Sequence, residues 1–253
     1  MILYYTASSL HQAAADLISG ISGFTLQEHS SVPEKPAKFG LYLQPDGLVV
    51  YTPSLPTFKL YDFYSQFLNR RVTNVHREIL LQAINLKSSS AQPLMALDAT
   101  AGLGRDSILF ALAGFEVTMV ERNPYLAVIL NYLLTTFAKE LPRLKMVYAR
   151  SHEFLASVAT QYDVVYLDPM FMDNKHAKSK KDLQIIDYLV DLTEDAAGGA
   201  TDDMAQLFTL AKEHCRNRVV VKRDNKQATL IPTPKPTYSK SGKTVRFDVY
   251  QIG

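Results

Sequence analysis

From residue 94 onward, short unbroken apolar runs alternate with longer segments whose apolar residues recur every three or four positions. LMALDAT, FEVTMVE, LKMVYAR, YDVVYLD and RVVVKR are the short runs. They are rich in branched side chains, as expected of strands covered on both faces. Between the first four lie GRDSILFALAG, NPYLAVILNYLLTTFAKEL and SHEFLASVAT. Each is long enough to form a helix that returns the chain parallel to the preceding strand. The pattern predicts an α/β fold with a mostly parallel, doubly wound sheet. After the fourth run it predicts a polar loop, a helix near Asp182 to Leu192, a break at Gly198-Gly199 and a further helix to about His214. In the tail PTYSKSGKTVRFDVYQI, Ser-Gly is flanked by two extended runs. That is a hairpin signal, so an antiparallel pair should finish the sheet.

The beginning of the chain has another rhythm. ILYYTAS, FTLQEHS, KFGLYLQ and LVVYTPS read as short strands and HQAAADLISG as a helix, punctuated by Pro33, Pro36, Pro45, Pro53 and Pro56. Residues 1–70 are therefore expected to form a small N-terminal α+β subdomain, and residues 71–253 the larger domain. NVHREILLQAINLK reads as a helix leading into the latter, and Tyr4, Tyr5, Tyr61 and Tyr64 as core aromatics.

Composition adds limits. The 253 residues are 47% hydrophobic and 21% charged, which suits a globular chain with a sizeable core. A single cysteine, Cys215, excludes an internal disulfide framework and a multi-cysteine zinc site, and no metal is expected. MILYYTASSL lacks the features of a signal peptide, and no apolar run approaches the roughly 18 residues of a membrane span. The expected location is cytoplasmic. Net charge is only +2, but Lys212 to Arg246 holds ten bases against Glu213 and Asp224. That skew favours an anionic partner such as nucleic acid if the fold gathers those bases, and is otherwise a solvated face.

In open α/β sheets, ligands bind at the carboxyl ends of the strands. The first strand ends in DATAGLGRDS: Asp98, then Gly102 and Gly104, then a helix. The glycines permit a sharp turn and close approach of a ligand to the backbone. The next strand ends at Glu121, where an acid can accept hydrogen bonds from a ribose hydroxyl pair. A dinucleotide site wants an anion-friendly helix start, whereas Arg105 and Asp106 precede Ser107 here. An acid in that turn repels a pyrophosphate and tolerates a cationic amino-acid group, which points to S-adenosylmethionine.

At the end of the fourth strand stands Asp168-Pro169-Met170-Phe171, which resembles the Asp/Asn-Pro-Pro-Phe/Tyr motif of enzymes that methylate exocyclic amino groups. Such an amine is a poor nucleophile, because its lone pair is delocalised into the ring. Hydrogen bonds from its N–H groups to Asp168 and a backbone carbonyl would aim it, Pro169 fixes the turn, and Phe171 offers a stacking surface for a flipped-out base. Other residues keep two readings. KHAKSKK, residues 175–181, is a lid over RNA phosphates or a solvated loop. His152 is a helix-start residue near adenine or a general base. Lys222 and Arg223 touch phosphate or base, or make a sheet-edge salt bridge.

DATAGLGRDS, Glu121-Arg122, YLDPMF and VVVKR together resemble the bacterial small-subunit ribosomal RNA guanine-N(2) methyltransferases of the RsmJ type, from about residue 60 to the end. The resemblance implies a Rossmann-like class I methyltransferase fold for the larger domain, S-adenosyl-L-methionine as donor, and a guanosine of 16S rRNA, free or in the small ribosomal subunit, as acceptor. It further implies cofactor contacts at Arg105, Asp106, Glu121, Arg122, Ser151, His152 and Asp168. The sequence departs from the family before the first strand, where Asn69-Arg70-Arg71 is followed by VTNVHRE instead of a glycine-rich stretch. The same motifs leave room for an acceptor amine on adenine, cytosine or a protein glutamine, and for a non-catalytic RNA-binding scaffold.

Overall fold

The structure is a computed structural model, which describes residues 1–30, 39–53, 55–86, 91–169, 189 and 200–252. Two sheets organise it. The N-terminal sheet has strand order β2-β1-β3-β4-β5, with β1 Ile2–Tyr5, β2 Thr25–Glu28, β3 Gly40–Gln44, β4 Gly47–Tyr51 and β5 Phe58–Lys59. Helix α1 (His11–Ile18) connects β1 to β2, which pair in parallel. Alternation along these strands turns Leu3, Tyr5, Leu41, Leu43, Leu48 and Val50 into the core.

The second sheet has order β11-β12-β10-β9-β6-β7-β8. Its strands are β6 Met95–Asp98, β7 Glu116–Glu121, β8 Leu144–Tyr148, β9 Tyr162–Leu167, β10 Cys215–Asp224, β11 Tyr238–Ser241 and β12 Val245–Gln251. β6 through β10 are mutually parallel and β12 runs antiparallel between β10 and β11, so the sequence-predicted sheet and hairpin are both present. Helices α4 (Arg105–Leu112) and α5 (Pro124–Thr136) cover one face. Helices α6 (Ser151–Ser157) and α7 (Ala200–Glu213) cover the other. Strand order reverses between β6 and β9, which opens the crevice where their carboxyl ends part.

α5 shows how sequence dictates position. The Asn123 side chain accepts hydrogen bonds from the Tyr125 and Leu126 amides at 3.0 and 3.2 Å, and Pro124 occupies the first turn. These are helix-start devices. Leu126 to Leu130, Tyr132 and Leu133 are all buried, because α5 lies between the large sheet and the N-terminal elements. One apolar cluster runs without interruption from Leu3 and Leu41 through α5 to Val220 and Val249.

Three details differ from the sequence reading. Helix α2 (Leu60–Arg71) was not legible, although its Tyr64 is fully buried as expected. Tyr61, expected in the core, is 48% exposed, its ring stacked on Phe137 at the surface end of α5. The run NVHREILLQAINLK is not one helix. A 3-10 turn at Val75–Arg77 is separated from α3 (Ile79–Ile84) by Glu78, whose extended backbone (ψ 133°) breaks the spiral while its carboxylate pairs with Arg71 at 2.6 Å. The helix expected near 182–192, the Gly198-Gly199 break, KHAKSKK, Met170 and Phe171 lie outside the described residues, apart from Leu189, which is buried and helical.

Candidate active site

The site grows from the tips of β6, β7 and β9. At the end of β6, Asp98 turns inward: one oxygen accepts the Ser107 hydroxyl at 2.6 Å and the other the Thr100 amide at 3.1 Å. Burial pushes its carboxyl up to about 7, opposed by the Ser107 bond and assisted by the charge of Asp106. Asp98 thus cinches the turn onto the first turn of α4. Within that turn Gly102 and Gly104 have φ of 56° and 72°, the left-handed region that glycine enters freely. A Cβ on Gly104 would also come within 2.9 Å of Leu130 in α5, whereas one on Gly102 would meet nothing within 4 Å. The turn is therefore packed below and open above.

Glu121, at the end of β7, is 8% exposed and accepts the Gly102 amide at 2.8 Å and the Asn123 amide at 2.7 Å. Burial raises its pKa, against those amides and that of Arg122. The acid joins the glycine turn to the start of α5, and with three amides on it about one of the roughly four acceptor positions of an ionised carboxylate remains for a ligand. Arg122 is exposed beside it.

At the end of β9, the Asp168 amide donates to the Thr100 hydroxyl at 2.6 Å, tying the fourth strand tip to the first. The Asp168 carboxylate meets Lys222 Nζ at 2.8 Å, and the same ammonium lies 2.9 Å from Asp106. The Tyr166 hydroxyl donates to Asp106 at 2.7 Å. Parallel pairing of β10 with β9 sets Val221 beside Leu167, so the next residue on each strand is Lys222 and Asp168. Burial would lower the pKa of Lys222, but Asp106 and Asp168 outweigh it and raise it above the usual lysine value. For Asp106, burial is outweighed by Lys222, Tyr166 and Arg105, and its pKa falls. For Asp168, burial prevails over Lys222 and its pKa rises, although 35% of the side chain remains exposed and water tempers that shift. Pro169 follows, half-buried.

The remaining expected residues line the same rim. Ser151, first in α6, donates its hydroxyl to the Ala99 carbonyl in the glycine turn. His152 is half-buried with Nε2 3.9 Å from the Glu153 carboxylate. The Arg105 guanidinium lies 5.3 Å from the centre of the Phe67 ring, and Arg71 lies 5.5 Å from the same ring. Phe67 belongs to α2, and the Tyr64 hydroxyl one turn earlier donates to the Leu103 carbonyl at 3.0 Å. Four participants escaped the sequence reading as site residues. Thr100 and Tyr166 sit inside recognised motifs, while Tyr64 and Phe67 come from a helix that gave no signal. For Lys222, of its two earlier readings, the ion pair is the one present, and it joins the site itself.

A family model described as "Putative SAM-dependent methyltransferase" matches residues 26–252. The chain belongs to this family. Ribosomal RNA small subunit methyltransferase J of Thioalkalivibrio sulfidiphilus is 31% identical over 98% of this chain and 99% of its own length. The protein of the same name in Coxiella burnetii is 36% identical over 69% of this chain, an alignment that spans only 66% of the relative's length. A solved SAM-dependent methyltransferase from Neisseria gonorrhoeae superimposes with a TM-score of 0.69 at 25% identity, covering 99% of this chain and 96% of that one. The fold is thus Rossmann-like, and S-adenosylmethionine is the cofactor of the family and of this chain.

The residues present suit that cofactor. Carboxylates of Asp98, Asp106, Glu121 and Asp168 converge around an open left-handed glycine, outnumbering Lys222 and Arg105. Asp106 stands where a pyrophosphate would have to sit, at the first turn of α4. Among the described residues no group of three or more His, Cys, Asp or Glu could hold a metal ion, and no helix is long and apolar enough to cross a membrane.

Proposed function

We propose that the protein transfers a methyl group from S-adenosylmethionine to the exocyclic N2 amine of a guanosine in 16S rRNA. The observation that carries this reading is the placement of Asp168, fixed through its amide to Thr100 and through its carboxylate to Lys222, beside the glycine turn of β6. The names of the relatives support ribosomal RNA as the substrate. A cytoplasmic location follows from that substrate.

Gly102, Gly104, Glu121, Arg122, Ser151, His152 and the Asp106 end of α4 would hold the cofactor, with Asp98 bracing the turn from below. When bound, S-adenosylmethionine supplies an electrophilic methyl group on a positively charged sulfur. The chain's own task is to orient the acceptor. Lys222 occupies Oδ2 of Asp168, which leaves Oδ1 to accept an N–H of the guanine amine and point its lone pair into the crevice. An ionised Asp168 also draws off the proton that the nitrogen sheds, a contribution of about 100- to 10,000-fold. Pro169 holds the backbone so that the carbonyl beside it serves the second N–H.

Incubating the protein with methyl-tritiated cofactor and RNA from cells lacking the gene, then digesting the RNA to nucleosides for mass spectrometry, tests the reading. N2-methylguanosine is expected from the wild type. The Asp168→Ala variant should transfer nothing while keeping most of its cofactor affinity, and Asp168→Asn should be the milder lesion. Label in adenosine, cytidine or protein, or near-normal turnover by Asp168→Ala, would overturn it.

A further inference from the structure

The ten bases between Lys212 and Arg246 do not form one surface, and sorting them by position isolates a small group. Lys222 is inside the site. Arg223 is 8% exposed and donates to the Ala228 carbonyl. Arg218 is bonded to the Tyr238 hydroxyl at 2.9 Å. Lys212, in the last turn of α7, and Arg216 lie near the amino end of β10, opposite the strand tips that form the site, and Lys235 follows Pro234, which shares a groove with Lys212 there. Arg246 grips the buried Asp248 through two nitrogens at 2.9 and 3.2 Å and donates to the Asp224 and Gln227 carbonyls at 2.8 Å. Three remain: Lys226, Lys240 and Lys243, all exposed.

These three share one rigid tip at the carboxyl end of β10. The Asn225 amide donates to Thr244 O and its side chain to Gly242 O, both at 3.0 Å, which locks the loop after β10 to the turn between β11 and β12. Arg246 clamps the same loop from beneath. Gly242 closes the turn with its amide on Val245 O at 2.7 Å and packs so tightly on Ile79 that a Cβ would come within 2.8 Å. The acid of the tip, Asp224, is turned back to accept the Lys226 amide at 2.9 Å. Lys222, Phe247 and Lys240 are in register across β10, β12 and β11. At about 4.8 Å per strand, Lys240 starts about 10 Å from the lysine that holds Asp168.

We propose that Lys226, Lys240 and Lys243 are a phosphate-binding platform for the RNA backbone flanking the acceptor nucleotide. The identity of the polyanion rests on the reading of the active site given above. A rigid frame suits the task, because the cations are presented without ordering a loop, and phosphate contacts fix register without reading sequence. The platform lies on the rim where β10 opens into the crevice, so a backbone seated on it leaves a neighbouring base free to enter beside Asp168.

The test uses the full chain and an in vitro transcript of 16S rRNA, with affinity measured across a potassium chloride series. Lys226→Gln/Lys240→Gln/Lys243→Gln should weaken binding roughly tenfold or more near physiological salt and lower the slope of log affinity against log salt by about 2 to 3. Cofactor affinity and thermal midpoint should stay at wild-type values, and the opposite-end variant Lys212→Gln/Arg216→Gln should bind RNA normally. An unchanged slope in the triple variant, or an equal loss in the opposite-end pair, overturns the platform. Wild-type protein that binds RNA through these lysines yet never labels it would remove the methyl-transfer reading and leave the platform standing. Normal labelling and normal RNA affinity in the triple variant would do the reverse.

Discussion

Lys222 and Asp168 meet at 2.8 Å on adjacent parallel strands, and the same ammonium reaches Asp106 at 2.9 Å. One cation therefore serves two carboxylates, of which Asp168 is the more exposed, at 35% against 20%. Burial raises the pKa of Asp168 and Lys222 is the largest influence opposing it. On the proposed reading the ionised form of Asp168 takes the proton that the amine sheds, so activity is expected to decline as pH falls through its pKa. Removing Lys222 lifts that pKa further. Lys222→Met is expected to move the acid limb of the kcat/KM profile to higher pH, and Lys222→Arg to restore most of the displacement. A uniform loss of rate with an unmoved limb would reduce Lys222 to a packing role.

Asp98 offers a pH dependence of stability with the opposite sense from an ordinary ion-paired acid. Its folded pKa is raised from 3.8 to about 7, so the folded state binds its proton more tightly than the unfolded chain does. The resulting stability is fully present below pH 4 and is lost as pH climbs towards 7. At about 1.4 kcal/mol per unit, the loss is on the order of 4 kcal/mol. Asp98→Asn, whose amide can accept from Thr100 and donate to Ser107, should flatten the slope of thermal midpoint against pH between 4 and 7.

The two glycines of the turn should fail in different ways. Gly104→Ala combines left-handed backbone strain with a Cβ pressed against Leu130, and should cost about 2 to 5 kcal/mol of stability in a denaturant titration. Gly102→Ala faces open space and bears the backbone strain alone, about 1 to 2 kcal/mol. Its methyl group would occupy the open space that the proposed site assigns to the cofactor, so calorimetry should find weakened S-adenosylmethionine binding out of proportion to that small loss.

Tyr64→Phe removes the hydroxyl that satisfies the Leu103 carbonyl and leaves that oxygen buried. A loss of about 1 to 3 kcal/mol is expected by thermal or chemical denaturation. Since Leu103 lies between Gly102 and Gly104, cofactor affinity should fall with it, whereas substitution of the exposed Tyr61 should leave that affinity unchanged.

The large sheet was readable because each parallel strand is apolar on both faces and each crossover has helical period, so periodicity alone marks it. The acids at the ends of β6, β7 and β9 were readable because a charge closing an apolar run has few other reasons to be there. Their partners were harder. Lys222 finds Asp168 through the pairing of β10 with β9, strands separated by more than forty residues, and no local pattern encodes that adjacency. α2 stayed hidden because LYDFYSQFLNRR mixes aromatic and polar residues all round, and its helical state is fixed by Tyr64 and Phe67 packing on another part of the chain. Expecting Tyr61 inside failed because aromatic content was taken for burial, while its ring rests on Phe137 at the boundary.

Strand β12, last in chain order, is inserted between β10 and β11 instead of being added at the margin. Among the described strands β11 pairs with β12 alone, so the lysine-bearing tip takes shape only when Val245–Gln251 enters its slot. Acquisition of the tip thus depends on the docking of β12 and not on β10 or β11 alone.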